Sequence, residues 1–287
     1  MIQLASPHVV HDLLNRHHIA PNKRFGQNFL IDQGILQKIA DAAHSNRRPV
    51  LEIGPGLGSL TQHLAQRAEN VLAVEIDKGF LPVLRETLAD FSNVDIIHAD
   101  FLKMDLSSLY EALGKKPFCV CANLPYYITT PIILRLLESH LPWETLCFLM
   151  QKEVGERLSA TPNHKSYGSL SLAIQYYAHV ETIGKVGARC FLPPPNVDSI
   201  IVRLRPKERS LNLQEEKRVF AIIRASFAMR RKTFVNNITA AFPSFSKESV
   251  QTVLEVCGFD VRIRAEALSF HDFVLLVRAL FQNLQDI

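Results

Sequence analysis

The sequence predicts a doubly wound α/β sheet followed by a small all-helical domain, and three observations carry that expectation. Short apolar runs alternate with helix-periodic segments between residues 50 and 150, the pattern of parallel strands covered on both faces. A glycine-rich turn, Gly54-Pro55-Gly56-Leu57-Gly58, follows the first of those runs and opens a helix. After Arg205-Pro206-Lys207-Glu208-Arg209-Ser210 the strand-like runs cease and only helical periodicity continues.

Residues 1–24 read as a polar arm with a short helical piece, ending in Lys23-Arg24. Strands are predicted at 50–53, 71–75, 94–98, 118–122 and 145–150, each a short run of apolar and β-branched residues. Helices are predicted at 60–68, 80–88 and 132–137 between them. Two more strands, near 181–186 and 199–205, have no clear helix between them and suit an antiparallel hairpin at one sheet edge. Helical spacing then recurs at 215–227, 232–241, 247–256 and 270–284. The domain boundary is placed near 206–210, giving a first domain of residues 1–206, arm included, and a helical domain of residues 207–287.

With 47% hydrophobic and 21% charged residues the composition is that of a globular protein, and no apolar run approaches the ~20 residues of a membrane span. The start lacks a basic stretch followed by an apolar one, so no secretory signal is expected. The five cysteines fall at 119, 121, 147, 190 and 257; Cys119 and Cys121 have no matching Cys/His pair and read as small buried hydrophobes. Neither a metal site nor a disulfide framework is expected, and the expected compartment is the reducing cytoplasm. The net charge of +4 is unevenly distributed: from Arg203 onward there are 14 Lys and Arg against 9 Asp and Glu, whereas the preceding residues carry 18 against 19. A basic terminal unit suits a polyanion such as nucleic acid, and equally a solvated helical surface.

Candidate site residues gather at the predicted strand ends. Gly54 and Gly56 allow the backbone to turn tightly against a ligand. Glu75, 21 residues after Gly54, ends the second strand, where a carboxylate can accept hydrogen bonds from both ribose hydroxyls of an adenosine-containing cofactor. Asp100 ends the third, placed either to accept from an adenine amino group or to cap a helix. To this point a nicotinamide dehydrogenase fits nearly as well. The fourth strand empties into Asn123-Leu124-Pro125-Tyr126-Tyr127, an amide, a proline turn and two rings. That set has no duty in hydride transfer and suits methyl transfer from a sulfonium to an amino nitrogen.

Six ordered segments extend this reading: Phe25-Gly26-Gln27-Asn28-Phe29-Leu30, the glycine turn with Glu52-Ile53 before it, Asn123 to Tyr127, Tyr167-Gly168-Ser169-Leu170-Ser171, Phe191-Leu192-Pro193-Pro194-Pro195-Asn196-Val197-Asp198-Ser199 and Phe227-Ala228-Met229-Arg230-Arg231-Lys232-Thr233. In these the chain resembles the KsgA family of ribosomal RNA adenine N6-dimethyltransferases over nearly its whole length. The resemblance implies a Rossmann-like domain that uses S-adenosylmethionine and no metal. It implies that Asn28 and Leu30 close over that cofactor, with Gly54 on its methionine part, Glu75 on the ribose and Asp100 on the adenine. Asn123 would stand between cofactor and target base.

The adenine N6 lone pair is delocalised, so the amine is a poor nucleophile. The Asn123 side-chain oxygen and the Leu124 carbonyl are expected to hold its two hydrogens, with Pro125 fixing the turn. Tyr126 is the expected stacking partner of an extruded base and Phe191 a second one, whereas Tyr127 is expected to pack. Arg230, Arg231 and Lys232 are expected on RNA phosphates, as are Lys23 and Arg24. By resemblance the substrate is two adjacent adenines in the 3′-terminal hairpin of small-subunit ribosomal RNA, met in a partly assembled particle by a monomeric enzyme acting in ribosome biogenesis. The alternatives are the large-subunit enzyme type that confers macrolide resistance, and an assembly factor whose binding role outweighs catalysis.

Overall fold

The computed structural model describes residues 2–19, 27–43, 47–124 and 128–282. It divides into two compact units: residues 1–155 with 179–206, and residues 156–178 with 207–287. Among the described residues no helix is long and apolar enough to cross a membrane.

The first unit is built on a seven-stranded sheet. Its strands are β2 (Val50–Ile53), β3 (Val71–Glu75), β4 (Val94–His98), β5 (Phe118–Asn123), β6 (Trp143–Gln151), β7 (Ala178–Val186) and β9 (Ser199–Pro206), in the order β4-β3-β2-β5-β6-β9-β7. The strands from β4 to β6 run parallel, and β9 turns antiparallel to β6. Every residue of β2 and β3 is buried, which explains why they read as continuous apolar runs rather than alternating ones. The chain order reverses between β2 and β5, so a crevice opens beyond the carboxyl ends of those two strands. Cys119, Cys121 and Cys147 are fully buried in the apolar layer beneath it.

Around the sheet stand α1 (Pro7–Arg16), α2 (Gln33–Ala42), α3 (Ser59–Ala65), α4 (Phe80–Thr87), α5 (Leu106–Ala112) and α6 (Thr129–Glu138). Helix α1 departs from the expected polar arm. Val10, Leu13 and Leu14 are buried with Phe29, Leu57, Phe80 and Leu84 in one apolar cluster. Each such side chain contributes roughly 1.5–3 kcal/mol on burial. The polar face that suggested an arm is anchored too, with Arg16 and His17 both on the Glu86 carboxylate at 2.8 and 2.7 Å. Two short strands, β1 (Phe29–Leu30) and β8 (Phe191–Leu192), pair antiparallel as a separate ribbon. The predicted edge hairpin is thus β7 beside β9, with the β8 excursion between them.

The second unit holds α9 (Leu213–Ser226), α10 (Phe234–Ala241), α11 (Lys247–Val256) and α12 (Phe270–Gln282), close to the predicted spans. It also holds residues 156–178, which the sequence placed in the first domain. There α7 (Lys152–Leu158) ends and α8 (Ser169–Tyr177) lies, two helices that the sequence did not indicate. Seven of the nine residues of α8 are buried, so it has no polar face to give a helical period. Aromatic packing draws this segment into the second unit. Tyr176 stacks on Phe270 and Tyr177 on Phe220, and both hydroxyls donate to the Glu216 carboxylate at 3.1 and 2.6 Å. The Tyr167 hydroxyl donates to the Leu268 carbonyl at 2.8 Å.

Candidate active site

At the switch point the chain leaves β2 through three glycines in the left-handed region: Gly54 (φ +73°), Gly56 (φ +57°) and Gly58 (φ +88°). An L side chain at Gly54 would be strained by roughly 1–2 kcal/mol on φ alone. A Cβ there would meet nothing within 4 Å, so open space lies against this backbone. The Gly54 N–H donates to the Val74 carbonyl at 2.9 Å, which ties the loop to β3.

Glu75 ends β3 only 4% exposed. One carboxylate oxygen accepts from the Gly56 N–H at 3.0 Å and the other from the Asp77 N–H at 2.8 Å. Burial pushes its carboxyl upward, and the two N–H donors pull the other way. Asp100 caps the turn at 101–103, its Oδ1 accepting from Leu102 N–H at 3.0 Å, and it lines the same cavity as Glu75. Asp32 caps the start of α2, accepting from Ile35 N–H at 3.0 Å.

Asn123 closes β5. Its amide nitrogen donates to the Asn28 carbonyl at 3.2 Å, so the side-chain oxygen is left as its acceptor. The Leu124 N–H donates to Leu149 of β6 at 3.3 Å, which fixes the peptide that follows Asn123. Asn28, Leu30, Gly54, Gly56, Glu75, Asp100, Asn123, Leu124 and Phe191 all line one cavity, although they come from sequence positions as far apart as 28 and 191.

Two of the candidates have partners within the fold. Phe191 is 3% exposed, pairs with Leu30 and packs in the apolar cluster of Leu36 and Ile39 while also lining the cavity. Arg230 is engaged within its own unit: it donates to the Lys165 and Tyr167 carbonyls at 3.1 and 2.8 Å and pairs with Glu266 at 3.7 Å. Arg231 and Lys232 are exposed. Pro125, Tyr126, Tyr127, Lys23 and Arg24 lie outside the described residues.

The structure also adds residues. Ile76 and Phe101 each follow a strand-end acid and line the cavity, and Ile76 is an exposed large apolar side chain at 45%. Such surfaces suit the flat faces of a purine, and their signal in the sequence is only their place after Glu75 and Asp100. Glu52 is 1% exposed, lines the cavity and has one carboxylate oxygen without a partner. Burial pushes its carboxyl up to about 8, and the nearby Glu75 adds to the rise. A buried acid with an orphaned oxygen fits a cationic ligand group.

The chain matches the family model described as ribosomal RNA adenine dimethylase over residues 19–277. It is 44% identical over 283 residues to the ribosomal RNA small subunit methyltransferase A of Geobacillus sp. (strain WCH70), covering 96% of this chain and 97% of that protein. Its identity to the protein of the same name from Bacillus mycoides (strain KBAB4) is 45% over 287 residues, 98% of each chain. Among solved structures, a dimethyladenosine transferase from Plasmodium falciparum superposes with a TM-score of 0.73 at 28% identity, over 89% of this chain and 98% of that one. The 23S rRNA methyltransferase ErmE does so with a TM-score of 0.67 at 28% identity, over 89% and 100%. Because the sequence match runs from residue 19 to residue 277, through both units of the fold, the chain belongs to the ribosomal RNA adenine dimethylase family.

Proposed function

We propose that this enzyme uses S-adenosylmethionine to dimethylate N6 of two adjacent adenines in the 3′-terminal hairpin of small-subunit ribosomal RNA, within a partly assembled particle, and acts as a cytoplasmic monomer. The single observation that carries the chemistry is the Asn123–Asn28 hydrogen bond, which leaves the Asn123 oxygen as an acceptor in the cavity that Glu75 lines. The cofactor supplies a methyl group made electrophilic by its sulfonium. The chain supplies position and charge. Glu52 would hold the α-ammonium, Glu75 the ribose and Asp100 the adenine amine, with Ile76 and Phe101 available to pack on the ring. Glu75 would accept from the ribose hydroxyls in competition with its two N–H donors.

At the target, the Asn123 oxygen and the Leu124 carbonyl accept the two N6 hydrogens and aim the nitrogen lone pair at the methyl group. The rate gain is one of orientation and of stabilising the positive charge that develops on nitrogen. The methylated amine then loses its proton to water, so no strong base is needed. Tyr126 stacks the extruded base, and Arg231, Lys232, Lys23 and Arg24 engage phosphates. Small-subunit choice is supported by relatives named for that subunit at 44–45% identity over nearly the full chain. The fold likeness to ErmE favours a second reading, a large-subunit substrate. Incubation with labelled cofactor and unmethylated small or large subunits separates them. Label is expected in small-subunit RNA as dimethyladenine, and label in large subunits alone would reject the assignment.

A further inference from the structure

Gln27 opens the segment Gln27-Asn28-Phe29-Leu30, which lines the cavity along its length. That segment is fastened at three places. Its far end pairs with β8, Phe29 opposite Leu192 and Leu30 opposite Phe191. Its middle is held where the Asn28 carbonyl accepts from Asn123. Its near end is held by a different residue: the Gln27 amide nitrogen donates to Asp77 Oδ2 at 3.1 Å.

Asp77 is set rigidly for this. Its other carboxylate oxygen accepts from the Gly79 N–H at 3.0 Å, and its own N–H donates to Glu75 at 2.8 Å. A continuous hydrogen-bonded path therefore runs from the Gly56 N–H through Glu75 and Asp77 to Gln27. Glu75 accepts two donors and has the ribose role proposed above, so a change in its position is felt directly by the peptide that carries Asp77. A fixed segment binds a ligand without the entropy cost of ordering a loose one.

From this geometry we infer that Asp77 is a positioning residue: it latches the Gln27–Leu30 segment over the cofactor cavity and couples that segment to Glu75. The inference rests on the reading of the cavity as the S-adenosylmethionine site. A purely structural bond would show in the stability of the unliganded protein and leave cofactor affinity alone; a latch shows in affinity.

The test is a charge exchange in the full chain, with the dissociation constant for S-adenosylmethionine measured by calorimetry and the thermal midpoint recorded without cofactor. Gln27→Glu sets a carboxylate against Asp77 and is expected to weaken binding about tenfold, equivalent to about 1.4 kcal/mol. Adding Asp77→Asn supplies an amide donor to the new carboxylate and is expected to return affinity to within about threefold of wild type. Should Gln27→Glu fail to fold, Gln27→Ala deletes the bond without adding charge, and a loss of threefold or more is expected. Wild-type affinity in the single variant, or a double variant as weak as the single one, overturns the latch alone. Wild-type protein that binds none of the cofactor overturns the cofactor reading and the latch with it.

Discussion

Asn123, the last residue of β5, and Glu52, the last but one of β2, show how differently two polar side chains near strand ends can be used. Asn123 has its nitrogen held by Asn28, which leaves its oxygen as the acceptor proposed for the target amine. An Asn123→Ala variant is expected to retain RNA binding in a filter or gel-shift assay while methyl transfer falls about a hundredfold. Glu52 is instead a buried acid held near a pKa of about 8 against an ordinary 4.5. Between those two values the folded chain keeps a proton that the unfolded chain has released, so this group's contribution to stability declines as pH rises through that window. Urea midpoints of the unliganded protein measured from pH 5 to pH 9 are expected to drop more steeply for wild type than for Glu52→Gln. The same variant is expected to weaken S-adenosylmethionine binding about tenfold, because the partner of the cofactor's cation is gone. At this scale the acids and the amide were legible in the sequence by their place at strand ends. The roles proposed for Glu52 and Asp77 were not, since burial and a hydrogen bond across 50 residues leave no local mark.

Helix α1 is the element whose character changed most between sequence and structure. Its exposed face carries His8, His11, Asp12 and Arg16, and a chain terminus with that composition reads as an arm. The three aliphatic residues on its other face are nevertheless buried beside Phe80, which lines the cavity. Leu13→Ala is expected to lower stability by about 3 kcal/mol, seen as a reduced urea midpoint at unchanged slope. The parallel strands were readable because each is short, apolar and closed by a turn. Helix α8 was not, because a helix buried nearly all round has the composition of a strand or a core loop.

For the whole molecule, the division into units sets a testable limit on where the chain can be cut. A fragment of residues 207–287 lacks Tyr176 and Tyr177, whose rings and hydroxyls pack on Phe220, Phe270 and Glu216. That fragment is expected to show no cooperative thermal transition by circular dichroism. A version that joins residues 156–178 to 207–287 through a short linker is expected to regain one. The basic surplus of the terminal residues also takes a more definite form, since Arg230 braces its own unit while Arg231 and Lys232 are exposed.

Sequence alone determined the succession of strands and helices, the glycine turn, the acids at the strand ends and the family resemblance. These are local properties: periodicity, backbone permissiveness and motif order are all written along the chain. Only the tertiary structure decided that residues 156–178 belong with the helical unit and that Phe191 packs in the core. It also decided that Asn28 orients Asn123 and that Gln27 reaches Asp77. The physical reason is common to all four. Burial and hydrogen-bond partnership are relations between distant segments, and they come into being only when the β-sheet brings its strand ends together.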